Sequence, residues 1–413
     1  MIVEPTVRLR WLVFGFVAVA FYGDLYVYDS IGPVADLLQR QRHFTDTQIG
    51  LLNAIYSLPN ILLLVVGGIL VDRFGAARVA LTTCAICLAG AALTALSPGF
   101  AGMAAGRLLF GIGAETLSIS VLATIARYFA HRNLALAMAL CIAVGRLGSF
   151  SADMSPQWMA QSYAAGWQPP LLVAMFISAG SLLAACGYWW IDRRQPPAQP
   201  KSPIKRGPLR IQELFRFPEP YWFLLSLAIL WYAVIITFRS TFAIKYFQHT
   251  HGLDLATAGA MNSFVFLAAL FTSPLFGWLC GRTGRYAPFL ALGAILLPVS
   301  LAIMAWTNWS LWIATVLIGI SYSLVPAVMW PFSQALVPPA RFGLAVGLIS
   351  VAQNVGIAGA NLIAGALNDR AGAGALNPAG YDPMMLFFAV ASLAGAAFAA
   401  LLWIRVGSHR MAD

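Results

Sequence analysis

The sequence predicts an all-α polytopic membrane protein with twelve transmembrane helices in two pseudo-symmetric halves of six helices each. Hydrophobic residues make up 60% of the 413 positions and charged residues only 10%, and the mean hydropathy is +0.78. A soluble domain carries roughly 25% charged residues, so this chain cannot cover itself with a polar surface. Apolar runs of about 20 residues recur along its whole length, and each can cross a ~30 Å hydrocarbon core.

A repeated segment indicates that the two halves are copies of one unit. The segments that begin at Gly68 and Gly277 both contain a glycine after an apolar stretch, a spacer, an arginine and another glycine. Aligning them requires an offset of 209 residues (277 − 68), and the same offset carries Arg132 onto Arg341 (341 − 132). Two landmarks with one offset, close to half the chain, predict an internal duplication, which in a membrane protein is typical of transport.

The apolar runs define the predicted spans and the organisation of the chain. We expect the first run to be a retained span, because it lacks a small-residue cleavage site and contains Asp24 and Asp29. We predict an N-terminal bundle over 1–191, a basic linker over 192–220 with a short surface helix over 209–217, and a C-terminal bundle over 221–413. The predicted spans are Leu9–Ser30, Gln48–Val71, Val79–Ser97, Gly102–Arg127, Leu134–Asp153, Pro170–Ile191, Tyr221–Phe247, Ala256–Cys280, Ala287–Trp306, Ser310–Val337, Phe342–Asn368 and Pro383–Ile404.

The distribution of basic residues predicts the orientation. With the N-terminus inside, the inner segments hold eighteen Lys or Arg residues and the outer segments four, Arg40, Arg42, Lys245 and Arg370. Because cytoplasmic segments carry the excess of positive charge, we expect both termini in the cytoplasm. The net charge of +10 is explained by this topology, so we expect no nucleic-acid partner.

Neither the cysteines nor any catalytic motif points to an enzyme. Cys84 and Cys87 have a C-x-x-C spacing, but all five cysteines lie in or beside apolar spans, so we expect packing roles, no disulfide framework and no metal site. Tyr28-Asp29 begins an intramembrane aspartyl protease signature, but no G-x-G-D follows it. We expect no cofactor. The glycine-rich stretch from Gly106 to Gly113 lacks the phosphate-loop pattern and predicts close helix packing.

Ionisable residues inside the spans mark the candidate site, since a charge in a bilayer needs a partner or a polar cavity. Counting ~1.5 Å per helical residue places Glu115, Arg146 and Asp24 at roughly 18 to 21 Å from the inner ends of their spans. A short turn joins the fourth and fifth spans, so we expect them to be antiparallel neighbours and Glu115 to meet Arg146. The pair is either a structural clamp or the anchor of a solute. Four further charges lie nearer the outer face, where they can snorkel: Asp29, Arg107, Asp153 and Arg239.

The loop after the second span carries a second candidate feature, the pattern Gly68-x-x-x-Asp72-Arg73-x-Gly75-x-x-Arg78. A charged loop at the inner end of a span can tie neighbouring helices together in one conformational state, so we predict a gating role. The second copy has Gly281 where the first has Asp72, which predicts a weaker or different gate there.

Twelve spans, the central basic linker and this loop pattern resemble the major facilitator superfamily. A closer similarity, over nearly the whole chain, is to the family of major facilitator superfamily domain-containing protein 1. It rests on segments that include Tyr56-Ser57-Leu58-Pro59-Asn60, Arg107–Glu115, Gly145–Ser149, Ala260–Ser263, Ser273–Gly277, Gly319–Leu324, Met329-Trp330-Pro331 and Gln353–Gly356.

That family includes a lysosomal dipeptide transporter that works without an obligatory proton gradient. The resemblance implies that Glu115 and Arg146 hold the ammonium and carboxylate ends of a peptide, and a bidentate guanidinium suits a carboxylate. The other substrate-binding residues that it implies are Tyr28, Asp29, Tyr56, Asn262, Tyr322 and Trp330. The Ala-, Arg- and Gly-rich composition predicts a bacterial inner-membrane relative.

The expectation is therefore an alternating-access carrier for a small zwitterionic solute, in which two halves rock about a midplane site. A proton-coupled carrier of organic anions or metal chelates, with Asp24 or Glu115 as the proton site, is the alternative within the carriers. A non-transporting receptor or partner subunit is the alternative of another class. The expected partners are the lipid bilayer and the solute, and the expected state is a monomer.

Overall fold

The computed structural model describes residues 6–129, 133–195, 217–338 and 341–406, and these fold into helices joined by short turns. The helices of the N-terminal part are α1 (Val7–Asp29), α2 (Ile31–Arg42), α3 (Asp46–Phe74), α4 (Ala76–Leu96), α5 (Phe100–Tyr128), α6 (Leu134–Trp158), α7 (Ala160–Ala164) and α8 (Gln168–Asp192). Those of the C-terminal part are α9 (Glu219–Thr237), a π-helical turn (Phe238–Phe242), α10 (Ala243–His251), α11 (Leu255–Thr283), α12 (Tyr286–Trp306), α13 (Leu311–Leu336), α14 (Phe342–Ala371), a 3₁₀ turn (Pro378–Tyr381) and α15 (Asp382–Val406).

The predicted all-α membrane fold is confirmed. In the described ranges, eleven stretches of helix are long and apolar enough to cross a membrane by length and composition. Helix α3 is 29 residues long, which at ~1.5 Å per residue also exceeds the ~30 Å hydrocarbon core, so the total agrees with the twelve predicted spans. Within the described ranges, β-type pairing is limited to one isolated bridge between Gly374 and Asn377.

The first span is longer than the predicted Leu9–Ser30. The chain turns at Ser30 and continues helically as α2 to Arg42, because the buried Val34, Ala35 and Leu38 extend the apolar face. Arg40 is consequently on a helix rather than in a loop, where its Nε lies 2.9 Å from the carboxylate of Asp36.

The chain divides into two compact units. The first comprises Met1–Phe44 and Ile55–Ile204, and the second comprises Thr45–Ala54 and Lys205–Asp413. The start of α3 thus groups with the C-terminal half of the sequence, although it precedes most of the N-terminal half. The surface helix predicted over 209–217 lies outside the described residues except for Phe217, which is buried.

Helices α4 and α5 in the first unit pack through glycine. A Cβ atom placed on Gly90 would lie 2.4 Å from the backbone nitrogen of Phe110, and one on Gly106 would lie 2.5 Å from Oγ1 of Thr94. Any larger residue would force the helices apart, as in other small-residue contacts between membrane helices. The packing role predicted for the glycine-rich stretch is confirmed.

The core of the second unit is built from large side chains whose polar atoms are satisfied internally. Trp231 donates its indole N–H to the hydroxyl of Ser321 at 3.0 Å, and that hydroxyl donates to the carbonyl of Gly293 at 2.7 Å. The hydroxyl of Tyr221 donates to the carbonyl of Ala345 at 2.8 Å. These bonds tie α9 to α13 and α14, and α13 in turn to α12, so that the span carrying the π turn is held on several sides.

Candidate functional site

In the first unit, Arg107 closes the end of helix α1. It lies on α5, is 1% exposed, and donates from its two terminal nitrogens to the carbonyls of Val27 and Tyr28 at 3.1 Å each. The last carbonyls of a helix lack the N–H donors of a following turn. The guanidinium of Arg107 donates to two of them where α1 meets α2, and the Ser30 hydroxyl also donates to the carbonyl of Val27 at 2.8 Å. Of the two possibilities that the sequence left open for Arg107, snorkelling and a structural role, the structure has the structural one, because its terminal nitrogens are bound to backbone carbonyls.

Aromatic rings surround the same guanidinium. The Arg107 Cζ atom lies 5.7 Å from the ring centroid of Tyr28, 5.5 Å from that of Tyr56 and 5.6 Å from that of Phe110. The rings of Tyr28 and Tyr56 are 4.6 Å apart. Two of the predicted substrate-binding residues are therefore in contact with each other in the first unit.

Three carboxyl groups lie near this cluster, those of Asp24, Asp29 and Glu115, and Asp29 is 1% exposed. Asp24 on α1 is 4% exposed, and the charges that act on it are those of Glu115 and Arg107. Its Oδ1 atom is enclosed without a hydrogen-bond partner. Glu115 is half-buried on α5, and none of the ion pairs found in the described ranges includes it.

The expected direct pairing of Glu115 with Arg146 is not among the contacts of the described chain. Helix α5 packs chiefly against α4, and α6 packs chiefly against α1, so the short connection between α5 and α6 does not make them close neighbours. Arg146 is half-buried on α6 and has an interaction of its own.

In the second unit, the span formed by α9 and α10 contains the π turn Phe238–Phe242. A π turn leaves a carbonyl without its usual helical donor, and such turns occur often at functional sites. The amide of Asn262 on α11 donates to the carbonyl of Arg239 at 3.0 Å. Arg239 is 3% exposed and lies 4.3 Å from the ring centroid of Phe266, so it too does not snorkel.

Asn53 also binds the π turn, a role that the sequence analysis did not predict. It donates to the carbonyl of Ser240 at 3.4 Å and to the hydroxyl of Thr241 at 2.8 Å. Asn53 and Asn262 are separated by the repeat offset (262 − 53 = 209), so the two asparagines occupy equivalent positions of the duplicated unit. Applying the offset to Asn262 would have found Asn53.

The first ten residues of the second unit, Thr45–Ala54, are held by buried polar contacts that the sequence analysis also missed. Lys245 forms an ion pair with Asp46, and both side chains are at most 2% exposed. The carboxylate of Asp369 accepts the backbone N–H groups of Asp46 at 2.7 Å and Thr47 at 2.9 Å. We call this set the polar seam: Asp46, Asn53, Thr241, Lys245, Asn361 and Asp369.

Backbones approach closely along the polar seam. A Cβ atom on Gly50 would lie 2.4 Å from the carbonyl oxygen of Asn361, and one on Gly365 would lie 2.5 Å from that of Asp46. Asn361 also accepts the hydroxyl of Thr241 at 2.8 Å. The polar atoms of the seam thus satisfy one another, as buried polar groups require.

The remaining predicted substrate contacts lie on α13. Tyr322 is half-buried, and its ring lies 6.4 Å from that of Trp231 and 5.7 Å from that of Phe266. Trp330 is half-buried and packs against the core of the second unit. Asn262, by contrast, is 2% exposed and its amide is already bound to the π turn.

The predicted gating segment forms the turn between α3 and α4. Gly75 has φ = +83°, which favours glycine, and it begins α4. Asp72, Arg73 and Arg78 are exposed, and none of the ion pairs of the described residues includes them. The repeated segment ends α11, where Gly284 has φ = +63°.

Known proteins resemble the chain in sequence and in fold. It is 28% identical over 373 residues to the lysosomal dipeptide transporter MFSD1 of Homo sapiens, covering 85% of this chain and 78% of that protein. It is 28% identical over 376 residues to the same protein of Danio rerio, covering 88% and 81%.

Among solved structures, the nucleoside transporter NupG superimposes with a TM-score of 0.77 at 14% identity, covering 96% of this chain and all of that chain. A bacterial homologue of the human lysosomal transporter Spinster gives a TM-score of 0.73 at 16% identity, covering 96% and 98%. The model of the Major Facilitator Superfamily matches residues 12–358 and 237–412. The predictions of the fold and of a carrier rather than an enzyme are thereby confirmed, and the chain belongs to the Major Facilitator Superfamily.

Proposed function

We propose that this carrier moves dipeptides, or another small zwitterionic solute, across the membrane. The observation that carries the proposal is the sequence similarity over 85% of the chain to proteins named as dipeptide transporters. The charges of the first unit support it, because Glu115 and Arg146 offer one anchor of each sign and Glu115 forms none of the ion pairs of the described residues.

In the proposed binding mode, Glu115 accepts the solute ammonium group and Arg146 donates to its carboxylate. Paired charges in a low-dielectric cavity bind more strongly than in water. The aromatic rings of Tyr28 and Tyr56 supply apolar contact area beside them, and Asp29 lies on the same helix as Tyr28. The further proposed contacts from the second unit are Asn262, Tyr322 and Trp330.

The test is uptake of labelled dipeptides into proteoliposomes. Glu115→Gln and Arg146→Ala should each lower uptake at least about 30-fold, because truncating one side of a buried charge pair costs about 2–5 kcal/mol. The matched control is Glu219→Gln, whose carboxylate is 58% exposed in a surface pair with Arg405, and it should transport normally. Normal uptake by either of the first two variants would refute the binding mode.

A thermal-shift screen addresses the solute class independently of transport. Dipeptides should raise the melting temperature of the purified protein, while amino acids and organic acids should raise it less, since only a dipeptide presents both charges at peptide spacing. A response confined to organic acids would overturn the proposal of a zwitterionic solute.

We also propose that the chain resides in a bacterial inner membrane with both termini in the cytoplasm. The excess of Lys and Arg in the predicted inner segments, eighteen against four, supports this orientation. Reporter domains fused to each terminus, one fluorescent only in the cytoplasm and one active only outside, distinguish the two orientations. Activity of the outside reporter would refute the proposal.

A further inference from the structure

Three helix ends meet at one end of the first unit. Helices α1 and α8 pack along each other in opposite directions, because Gly23 lies against the side chain of Ser181 and a Cβ atom on Gly187 would lie 2.7 Å from the ring of Phe16. Six residues onward from Gly187 along α8, and six residues back from Phe16 along α1, both lead to arginines at positions 193 and 10. The start of α1 is therefore level with the end of α8.

The end of α5 joins them. The carboxylate of Asp192 accepts the guanidinium of Arg127 at 2.8 Å and the hydroxyl of Tyr128 at 2.9 Å. On the other side, the ring of Trp11 lies 5.3 Å from that of Phe129. We call the joined helix ends, taken over residues 7–14, 124–129 and 187–195, the basic end.

The basic end has an excess of positive charge. It contains five arginines, and over the same residues the carboxylates are limited to that of Asp192, which is bound by Arg127. The positions that flank it in the sequence include Glu4 and Arg132, one charge of each sign. The five arginines are Arg8, Arg10, Arg127, Arg193 and Arg194. Since like charges on adjoining helix ends repel one another, an anion among them is stabilised.

Two of the guanidinium groups lie over indole rings. The Cζ atom of Arg194 lies 3.6 Å from the ring centroid of Trp190, and that of Arg193 lies 5.2 Å from that of Trp189. Both arginines are exposed, and none of the ion pairs found among the described residues includes either of them. A guanidinium that lies over a ring still presents the N–H groups of its edge, which match two oxygens of a phosphate.

The surroundings of these rings are those of the boundary between lipid headgroups and acyl chains. Trp190 is 46% exposed and Trp11 is 36% exposed, and indole side chains are typical of the headgroup level. On the same two helices, Leu183 and Leu12 are 72% and 51% exposed, so apolar surface adjoins the arginines. The anion whose chemistry fits both surfaces is a phosphate that carries acyl chains.

We propose that the basic end binds the phosphate of an anionic phospholipid, in the leaflet at which this end lies. Arg193 and Arg194 donate to the phosphate oxygens, and Arg8 adds positive charge beside them. The indoles of Trp189 and Trp190 hold the two guanidinium planes. The inference goes beyond the proposed function, because it does not depend on which solute is carried.

The experiment measures lipid binding to full-length protein that has been stripped of lipid in an uncharged detergent. Native mass spectrometry gives the dissociation constants of phosphatidylglycerol and phosphatidylcholine. Phosphatidylglycerol should bind at least about tenfold more tightly, and equal binding would refute the proposal. The double variant Arg193→Gln/Arg194→Gln should weaken binding of phosphatidylglycerol about 25-fold, since each arginine near an anionic lipid contributes about fivefold.

The matched control removes the same charge from the junction of α11 and α12. Arg282 and Arg285 are both exposed, and Arg282 also lies 5.3 Å from the ring centroid of Trp278, but the five-arginine set is lacking there. Arg282→Gln/Arg285→Gln should change the affinity for phosphatidylglycerol less than about threefold. An equal loss in the two double variants would show a diffuse attraction and refute a site at the basic end.

Two further measurements test the geometry and the source of the phosphate. Arg193→Lys/Arg194→Lys keeps the charge but removes the planar edge, so it should weaken binding at least about fivefold. Unchanged affinity would refute the stacked site. Glycerol 3-phosphate at millimolar concentration should leave phosphatidylglycerol bound, because it lacks the acyl chains, whereas full displacement would assign the site to a free phosphate and overturn the lipid. Thermal unfolding without added lipid should be the same for all variants and the wild type.

Discussion

The two units bury charge in different ways. In the second unit, Lys245 is paired with Asp46, and Asp369 receives two backbone N–H groups. In the first unit, Asp24 is enclosed with no hydrogen-bond partner at Oδ1, and Glu115 forms none of the ion pairs of the described residues. The sequence repeat indicates one ancestral plan for both halves. The second unit therefore pairs its buried charges along the polar seam, whereas the first unit encloses a carboxyl group whose Oδ1 atom has no hydrogen-bond partner.

The largest expected effect is a difference in the free energy of unfolding between two Asp→Asn variants, one in each unit. Asp46→Asn should lower the free energy of unfolding by about 3–5 kcal/mol, because Lys245 would remain buried without a carboxylate partner. Asp24→Asn should leave the free energy of unfolding unchanged or raise it, since the amide removes a buried acid and breaks no hydrogen bond. Denaturant titration in mixed micelles, followed by circular dichroism, measures both. Equal losses would show that the two units do not differ in this way.

An intermediate effect is expected at the π turn. Asn53→Ala and Asn262→Ala should each lower the free energy of unfolding by about 1–3 kcal/mol, because each leaves a buried carbonyl of the turn without its donor. Asn354→Ala is the matched control, since its amide donates within its own helix, to the carbonyl of Ser350 at 3.0 Å, and should cost less. The same titration applies. If Asn354→Ala lowers the free energy of unfolding as much as the other two substitutions do, their losses cannot be attributed to the π turn.

The smallest effect concerns two helix starts that are equivalent in the repeat. Asp254 begins α11 and accepts the backbone N–H of Thr257 at 2.8 Å, so Asp254→Ala should cost about 1 kcal/mol. The hydrogen bonds from the backbone and hydroxyl of Thr257 lower the pKa of Asp254 below its usual 3.8. Because the folded-state pKa is the lower one, the stabilisation is present above pH 3.8 and is lost as the pH falls through the lowered value.

Thr45 occupies the equivalent place at α3 (254 − 45 = 209), where it exchanges hydrogen bonds with Gln48 at 3.1 and 3.2 Å. This is a capping box of neutral groups, and so Thr45→Ala should cost a similar amount without any change between pH 3 and 5. Thermal unfolding of both variants across this acid range checks the contrast. Parallel pH profiles would refute it.

The sequence predicted what depends on local pattern. Apolar runs predicted the spans, the repeat offset predicted the duplication, and the glycines between Gly106 and Gly113 predicted close packing. It failed where partners are distant. Lys245 was assigned to an outer segment, although it ends up buried against Asp46, which is 199 residues away. A lysine within a predicted span was a usable signal, but its partner could not be read from spacing.

Helix order misled the prediction at the candidate site for a similar reason. The short connection before Leu134 predicted that α5 and α6 are neighbours, yet α6 packs on α1 and α5 on α4. Connection length limits how far apart two helix ends lie, whereas packing is decided by which faces are apolar and small. The glycines of α5 fit α4, and Gly148 of α6 fits the backbone of Tyr22 on α1.

The membership of Thr45–Ala54 in the second unit has a consequence for biosynthesis. The ribosome completes Asp46 long before it makes Lys245, and Asp369 is separated from Asp46 by 323 residues. During that interval, Asp46 at the start of α3 lacks its ion-pair partner Lys245. The first N–H groups of α3 also lack their acceptor, the carboxylate of Asp369. A C-terminal fragment made alone would never acquire the start of α3 at all. The second unit is therefore completed by a piece of chain that was translated first, and its assembly ends only after α14 has been made.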